Sequence, residues 1–322
     1  MEAAENTSSL AEALRASYGL PGPVTVSLLR DGQAGNRTHL VEGGGAKSIL
    51  RVYGPSWAGR EERIRFELEL LMHLKRSGVP VSHPLPRMDG KMLGPLPAPN
   101  GPRPGALFTF AEGRPLWPLG EADSYRLGAT LADLHRAANG FRPNGDGDHA
   151  VYDTAGIVDV PVARMMPFAR GPADRLFLER LADRIREKLG RIPGGPDGFG
   201  VIHGDIHQGN CHFTEDGTLT LFDFSLCGAG WRGFDLTGFL WPLRDHTIGD
   251  EAVKRSCDAY LSGYQSRRVL SPAEVEAIPA FVKARDLWET GAWIGLAPET
   301  EAAVFCDGVA EILKRFRDFP LE

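Results

Sequence analysis

The sequence has no long apolar run, and this absence excludes a class of protein. No segment of the 322 residues approaches the roughly 20 consecutive apolar residues that a membrane-spanning helix needs. Residues 1–19 contain glutamates and lack the apolar core of a secretory signal peptide. We therefore expect a cytoplasmic protein with no membrane partner.

A basic excess and a cysteine framework are also missing. The net charge of −6 does not favour a nucleic-acid partner, because binding a phosphate backbone requires a basic surface, but it suits a cationic substrate. The cysteines are widely spaced and form no CxxC pair, which favours reduced, mostly buried thiols at Cys211, Cys227, Cys257 and Cys306. At this length the chain can form two domains or one large two-lobed domain.

The most informative stretch is 201–225, VIHGDIHQGNCHFTEDGTLTLFDFS. Two apolar, strand-like runs flank a polar segment, and the Asp-Gly pair at 216–217 is a hairpin signal. The pattern predicts a strand, a polar loop with Asp205 and Asn210, a short hairpin, and Asp223 at the tip of its last strand.

These three polar residues suit phosphoryl transfer. A carboxylate such as Asp205 can accept the proton of a nearby hydroxyl, and Asn210 and Asp223 offer oxygen ligands to a hard cation such as Mg²⁺. Protein kinases use the same order, with a catalytic Asp, an Asn five residues later and a further metal-binding Asp. The roles assigned here follow that template.

Two other interpretations of the stretch remain open. Loop Asp and Asn side chains often cap turns through bonds to backbone amides. The stretch also contains ligand types that zinc prefers, namely His203, His207, Cys211 and His212. Gly204 and Gly209 favour a loop in which the first two histidines would not share a helix face, so the pattern favours magnesium.

The run His203-Gly204-Asp205, with Asn210 and Asp223 following, resembles the aminoglycoside phosphotransferase and choline kinase-like family, in which the His-Arg-Asp of protein kinases becomes His-Gly-Asp. The resemblance implies an α+β, two-lobed protein-kinase-like fold, with a small antiparallel-sheet lobe and a mostly helical large lobe. The implied division is an N-terminal nucleotide-binding lobe at 1–107, a hinge at 108–113 and a C-terminal catalytic and substrate-binding lobe at 114–322.

The resemblance also implies a nucleotide site in the first lobe. A glycine-containing turn includes Gly35 and Asn36, whose backbone N–H groups would contact the phosphates, although a plain hairpin turn gives the same pattern. Peptide groups near 108–112, including those of Phe108 and Phe110, are expected to bind the base. The side chains there do not distinguish ATP from GTP.

A cation is expected to complete this nucleotide site. Arg51 stands where aminoglycoside phosphotransferases have a phosphate-pairing Lys, and a guanidinium can contact phosphate through two hydrogen bonds. An edge-strand arginine with its head in solvent would give the same pattern. Glu67, on the following helix, is the expected partner of this cation, with Glu62 and Glu69 as alternatives.

The second lobe supplies supporting candidates. His203 is expected to support the catalytic loop and Asp235 to brace it, although a helix cap would also place an Asp at 235. Several residues of a C-terminal helix would line the acceptor pocket or pack in the core: Arg285, Asp286, Trp288, Glu289 and Trp293.

Hydrophobic periodicity predicts the other elements. Strands are predicted at 24–29, 39–42 and 48–53, and helices at 10–18, 60–76, 124–138, 173–189, 251–264, from 271 onward and at 300–316. Ser9 with Glu12 and Ser271 with Glu274 form capping-box patterns. Residues 150–170 are expected to be irregular.

The implied reaction is transfer of the γ-phosphate of ATP or GTP, with Mg²⁺ as cofactor, to a small-molecule hydroxyl. We expect an antibiotic acceptor first, aminoglycoside-like or nucleoside-type, giving resistance by inactivation. The loops at 140–172 and the helical tail leave room for a pocket, and no activation segment ends in Ala-Pro-Glu. The alternatives are a metabolic kinase for homoserine, choline or a sugar, a stress-response type Ser/Thr protein kinase, and a regulatory pseudokinase. We expect a monomer or a homodimer.

Overall fold

The computed structural model describes residues 7–32, 35–145, 148–240, 251–296 and 302–318. The chain forms two compact units whose segments alternate along the sequence. The first unit comprises Met1–Pro115, Phe141–His149 and Cys211–Ser225, and the second comprises Leu116–Gly140, Ala150–Asn210 and Leu226–Glu322. A hinge at 108–113 stays a prediction.

The first unit is built on an antiparallel sheet. Its strands are β1 (Val24–Asp31), β2 (Arg37–Gly43), β3 (Ala46–Val52), β4 (Gly94–Leu96) and β5 (Arg103–Thr109), in the order β1-β2-β3-β5-β4. Strands β2 and β3 join through Gly44 and Gly45, whose φ angles of 60° and 79° favour glycine. The predicted strands at 24–29, 39–42 and 48–53 are confirmed.

Two helices and a hairpin complete the first unit. Helix α1 (Thr7–Tyr18) places Leu10 and Leu14, one turn apart, in the core formed with the sheet. Ser9 lies inside that helix, so its prediction as a cap is wrong. Helix α2 (Glu61–Arg76) matches its prediction within one residue. Strands β8 (Cys211–Phe213) and β9 (Leu219–Leu221) pair as the predicted hairpin.

The second unit is mostly helical. Its helices are α3 (Glu121–Ala138), α4 (Val160–Met165), α5 (Pro172–Gly190), α6 (Arg232–Leu240), α7 (Glu251–Gln265), α8 (Pro272–Leu296) and α9 (Ala302–Asp318). Helices α3 and α7 approach closely at Gly128, where a Cβ would lie 1.9 Å from the carbonyl oxygen of Tyr260. The predicted cap of α8 is confirmed, because Ser271 and Glu274 exchange side-chain bonds with each other's backbone N–H, at 2.8 and 3.3 Å.

A small sheet in the second unit leads into the loop that carries Asp205. Strands β6 (Ala150–Tyr152), β7 (Phe199–Ile202) and β10 (Gly228–Trp231) lie in the order β6-β10-β7. The expectation of irregular structure at 150–170 is wrong, since β6, a π-helical turn at 155–159 and α4 occupy this segment. Strand β10 has two glycines, so its sequence lacks the β-branched signal of a strand, and pairing with both neighbours makes it one.

The structure also bears on the membrane and cysteine expectations. Within the described ranges, no helix is both long enough and apolar enough to cross a membrane. Cys211, Cys227 and Cys257 are buried thiols, and Cys306 is half-buried.

Candidate active site

The loop after β7 carries the predicted catalytic residue, Asp205. Gly204, immediately before it, has a φ of 85°, and a Cβ there would lie 2.2 Å from the carbonyl oxygen of Leu226. A residue with a Cβ would therefore displace backbone at this position. His203 is fully buried, and its Nδ1 accepts a hydrogen bond of 3.2 Å from the Asp205 N–H. Gly204 and His203 therefore fix the backbone conformation immediately before Asp205.

Asp235 holds this loop from the first turn of α6. Its carboxylate is fully buried and accepts the N–H of His203 at 2.8 Å and the N–H of Gly204 at 2.9 Å. Because a carboxylate accepting two backbone N–H groups fixes both peptides, this contact matches the bracing predicted for Asp235. Its role in catalysis stays a prediction.

A buried histidine orients Asp235. His135 Nε2 lies 3.0 Å from Asp235 Oδ2, and its Nδ1 lies 2.8 Å from the Tyr264 hydroxyl. Burial lowers the pKa of His135 to about 4, so the ring is neutral at pH 7, donating to Asp235 and accepting from Tyr264. Burial opposes ionisation of Asp235, but its contacts with His135 and His203 still lower its pKa.

The Asp205 carboxylate is held on both oxygens. Arg285 donates to Oδ1 at 2.8 Å, and Asn210 Nδ2 donates to Oδ2 at 3.2 Å. His207 Nε2 lies 3.6 Å from the same Oδ2. Burial alone would raise the pKa of Asp205, but His207, Arg285 and His203 outweigh it and lower the pKa to about 2. The side chain is an anion at neutral pH and is 32% exposed.

Asn210 is oriented by its contacts with Asp205. Its Nδ2 donates to the Asp205 carbonyl oxygen at 2.9 Å as well as to the carboxylate. With the amide nitrogen engaged, Oδ1 is the atom of this buried side chain that can serve as a metal ligand. The two residues, five positions apart on the predicted loop, are therefore in direct contact.

In the first unit, Arg51 bridges two carboxylates. It lies on β3 and donates to Glu67 Oε1 at 2.9 Å and to Asp223 Oδ1 at 2.8 Å. Burial disfavours its charge, but Asp223 and Glu67 raise its pKa, so the guanidinium stays protonated. Burial raises the pKa of Glu67, and Arg51 opposes that shift.

The structure selects one partner among the three candidate glutamates on α2, Glu62, Glu67 and Glu69. Glu67 is 3% exposed and pairs with Arg51, whereas Glu62 pairs with exposed Arg65. Glu69 accepts hydrogen bonds of 2.9 and 3.0 Å from the backbone and side chain of Asn144. Burial on one helical face therefore decides a choice that the sequence left open.

Asp223 stands just after β9 in an unusual backbone conformation. Its φ is 62°, and among the described residues it alone combines a positive φ with a side chain. Such a conformation costs of order 1 kcal/mol and clusters at functional sites. The Ser225 hydroxyl donates to its Oδ1 at 2.9 Å. No sequence signal indicated this strain.

The other nucleotide candidates also lie in the first unit. Asn36 Oδ1 accepts from the Gly54 N–H at 2.8 Å, and Gly35 has a φ of 72°. Gln33 and Ala34, in the same turn, lie outside the described residues. Phe108 is buried, with the guanidinium carbon of Arg51 5.7 Å from its ring centroid. Lys47 Nζ lies 5.7 Å from the ring centroid of Phe110.

Peptide groups in the predicted base-binding segment already have protein partners. The Thr109 N–H donates to the His83 carbonyl at 2.9 Å, and its carbonyl accepts from the Ser82 hydroxyl at 2.6 Å. The Ala111 carbonyl accepts from His212 Nδ1 at 2.8 Å. These contacts fix the segment, and base binding at 108–112 stays a prediction.

The zinc interpretation finds no arrangement to match it. His207 Nδ1 accepts from the Gly209 N–H at 2.9 Å, and His212 bonds to a carbonyl as described above. Across the part of the chain that the structure describes, no three His, Cys, Asp or Glu side chains are grouped to hold a metal ion. A magnesium site needs fewer protein ligands, because nucleotide phosphates and waters complete its coordination.

The acceptor-pocket candidates on α8 have mixed environments. Trp288 is half-buried and packs against the core at Tyr152 and Phe234, with ring centroids 5.7 and 6.0 Å away. Trp293 is 40% exposed. Arg285, in contrast, is 2% exposed and contacts Asp205 directly, which its position 80 residues away did not indicate.

Comparisons with known proteins show which family the sequence resembles. A family model described as phosphotransferase enzyme family matches residues 25–270. An uncharacterised protein of Deinococcus radiodurans is 37% identical over 90% of this chain and 83% of its own length. A homoserine kinase of Rhizobium johnstonii is 32% identical over 66% of this chain and 63% of its own length.

Two solved structures are similar over nearly the whole chain. The microcompartment-associated aminopropanol kinase has a TM-score of 0.75 and 27% identity, over 98% of this chain and 100% of its own. An amicoumacin kinase bound to AMP-PNP, Ca²⁺ and amicoumacin has the same TM-score at 19% identity, covering 96% and 93% of the two chains, which shows the fold alone.

Fold and site together define the class: an α+β, protein-kinase-like fold with an antiparallel-sheet unit and a mostly helical unit. The chain belongs to the phosphotransferase enzyme family that includes the aminoglycoside phosphotransferases.

Proposed function

We propose that this protein transfers the γ-phosphate of Mg²⁺-ATP, or of Mg²⁺-GTP, to a hydroxyl of a small molecule in the cytoplasm, as a monomer or a homodimer. The observation that carries the proposal is the ionised Asp205 carboxylate on a loop whose two preceding peptides are fixed by buried Asp235. A positioned anion beside an acceptor hydroxyl is what phosphoryl transfer needs from a protein side chain.

Asp205 is assigned the proton-accepting role. Its Oδ2 would accept a hydrogen bond from the acceptor hydroxyl and direct the oxygen lone pair at phosphorus. As the new P–O bond forms and the bond to the β-phosphate breaks, the hydroxyl proton passes to Asp205 and the nucleoside diphosphate leaves. The contacts with His207 and Arg285 lower the pKa of Asp205 and make it a weak base, which is compatible with a loose transition state.

The other residues hold the donor. Asn210, through Oδ1, and the Asp223 carboxylate are assigned to Mg²⁺, which neutralises phosphate charge when bound. Arg51, placed by Glu67, is assigned to the phosphates, and the backbone at Gly35 and Asn36 to the same groups. The base is assigned to peptide groups at 108–112, next to Phe108 and Phe110.

The acceptor that we favour is a small amino alcohol. The aminopropanol kinase aligns along both full lengths, and homoserine, the substrate named for the Rhizobium relative, also bears an amine and a hydroxyl. The net charge of −6 suits a cationic acceptor. An antibiotic acceptor is the second candidate, which the similarity to an amicoumacin kinase of Bacillus subtilis, 25% identical over 69% of this chain and 66% of its own length, supports.

The test is a coupled assay of nucleoside diphosphate release with Mg²⁺-ATP and Mg²⁺-GTP. The acceptor panel contains aminopropanol, homoserine, choline, sugars, aminoglycosides, nucleoside antibiotics and a Ser/Thr peptide. We expect turnover with one acceptor class, reduced by about 10³-fold in Asp205→Asn with nucleotide affinity retained. Turnover that persists in the variant contradicts the assignment of Asp205. Silence across the panel, with Mg²⁺-nucleotide still bound, favours a regulatory pseudokinase.

A further inference from the structure

Arg285 on α8 makes three hydrogen bonds at the catalytic loop with one guanidinium. Nη1 donates to the Gly204 carbonyl at 2.7 Å, Nη2 to Asp205 Oδ1 at 2.8 Å, and Nε to Glu289 Oε1 at 3.0 Å. The guanidinium carbon lies 5.0 Å from the ring centroid of Phe234 and 5.3 Å from that of Trp288. All the nitrogens of the group therefore have partners in a nearly dry environment.

We propose that Arg285 is a positioning residue for phosphoryl transfer, which fixes the orientation of the Asp205 carboxylate and through it the oxygen presented to the acceptor hydroxyl. This inference rests on the proposed function.

The geometry goes beyond a simple ion pair. Arg285 contacts the carbonyl of the residue before Asp205 and also the Asp205 side chain, so one planar group fixes the backbone and the carboxylate relative to each other. Since Oδ1 is bonded to Arg285, rotation of the carboxylate would break a part-buried, charge-assisted bond. Oδ2 is thereby kept on the side of Asn210 and His207.

Glu289 completes the arrangement one turn along α8. Its contact with Nε leaves Arg285 between two carboxylates, so the three side chains together carry one negative charge. The arginine cannot rotate toward Asp205 or away from it without losing the bond to Glu289. The aromatic rings of Phe234 and Trp288 exclude water from the guanidinium, which strengthens each hydrogen bond.

Two substitutions at this position test the inference. Arg285→Gln removes the charge and most of the hydrogen bonds, and we expect kcat to fall by about 100-fold with the Mg²⁺-nucleotide Kd unchanged within twofold. Arg285→Lys keeps the charge in a similar volume but not the planar fork, so we expect a kcat loss of about tenfold with only a small change in Tm. The lysine variant protects the test against misfolding of the glutamine variant.

The matched control is Arg186→Gln. Arg186 also bridges two carboxylates in the second unit, Asp159 at 2.8 Å and Asp183 at 2.6 Å, but its side chain is 42% exposed. The kcat of Arg186→Gln should stay within twofold of wild type.

A double variant provides a second test. In the Asp205→Asn background, Arg285→Lys should cause no further loss of turnover, because the carboxylate that Arg285 positions is no longer present.

The outcomes separate this inference from the proposed function. If wild type transfers no phosphate, or Asp205→Asn is as active as wild type, the proposed function fails. If wild type is active and Asp205→Asn is not, but Arg285→Lys has wild-type kcat, the inference alone is overturned. A lower Tm in Arg285→Gln with unchanged kcat of the folded enzyme would also overturn it, because a merely structural role predicts that result.

Discussion

Each unit contains an arginine that bonds two carboxylates, and in each case one carboxylate belongs to an aspartate assigned to the chemistry. In the first unit Arg51 joins Glu67 and Asp223. In the second, Arg285 joins Glu289 and Asp205. Both clusters consist of one arginine and two carboxylates. They differ in the further contacts that hold the aspartate, and this difference shows two ways in which a protein can position a carboxylate.

The Asp205 cluster is anchored through the backbone. Arg285 bonds the Gly204 carbonyl, while Asp235 accepts the two N–H groups that precede Asp205. The Asp223 cluster has a strained residue, with a φ of 62°, whose Oδ1 accepts hydrogen bonds from the side chains of Arg51 and Ser225. A residue that must accept a proton in one fixed direction benefits from backbone anchoring, whereas a metal ligand can adjust to the ion.

The largest effect is expected from Asp223→Asn. Asparagine tolerates a positive φ, so the fold is kept while the carboxylate assigned to Mg²⁺ loses its charge. We expect kcat to fall by about 10³-fold, corresponding to about 4 kcal/mol, and Mg²⁺ to stop strengthening nucleotide binding. Calorimetric titration with nucleotide, with and without Mg²⁺, measures this directly.

The control for that variant is Asp216→Asn, at the exposed turn of the same hairpin. It should change neither kcat nor the effect of Mg²⁺. If Mg²⁺ still strengthens nucleotide binding in Asp223→Asn, the metal assignment is refuted.

The next largest effect concerns the contribution of the Arg51–Glu67 ion pair to the free energy of unfolding. Arg51→Met leaves the carboxylate of Glu67, which is 3% exposed, without its cation and should lower the free energy of unfolding by about 3 kcal/mol. The double variant Arg51→Met with Glu67→Leu removes both charges and should recover most of that loss. Urea unfolding of the single and double variants measures the difference. A double variant as unstable as the single one would show that the pair itself is not the cause.

The smallest effect concerns the neutral His135 behind the second cluster, which faces Asp235, Tyr264, Arg232 and Arg268. Its folded pKa of about 4 lies below the unfolded value of about 6.5, so the unfolded chain binds more protons between these values. Stability should therefore fall on acidification through this window, by about 2 kcal/mol between pH 7 and pH 5.

His135→Gln provides the comparison for this pH dependence. Glutamine does not titrate and can still donate to Asp235, so its unfolding free energy should vary less with pH over the same range. Equal pH slopes for wild type and variant, measured by urea unfolding at pH 5, 6 and 7, would exclude His135 as the source.

Much of the fold and part of the site were predictable from local signals. Strand alternation predicted the first three strands of the sheet, the Asp-Gly pair predicted the β8–β9 hairpin, and Ser271 with Glu274 predicted the start of α8. These signals suffice because each depends on residues that are close in sequence. The glycine-rich strand β10 and the segment at 150–170 were missed, because their structure comes from pairing and packing with distant elements.

The sequence by itself determined the family, the protein-kinase-like fold and the spacing of Asp205, Asn210 and Asp223, because these follow from a contiguous motif and short-range periodicity. Tertiary structure decided which glutamate of α2 pairs with Arg51 and which cation holds Asp205. Arg285 is 80 residues from Asp205, and only the packing of α8 against the loop brings their side chains to 2.8 Å. A hydrogen bond depends on proximity in space, which local sequence does not encode.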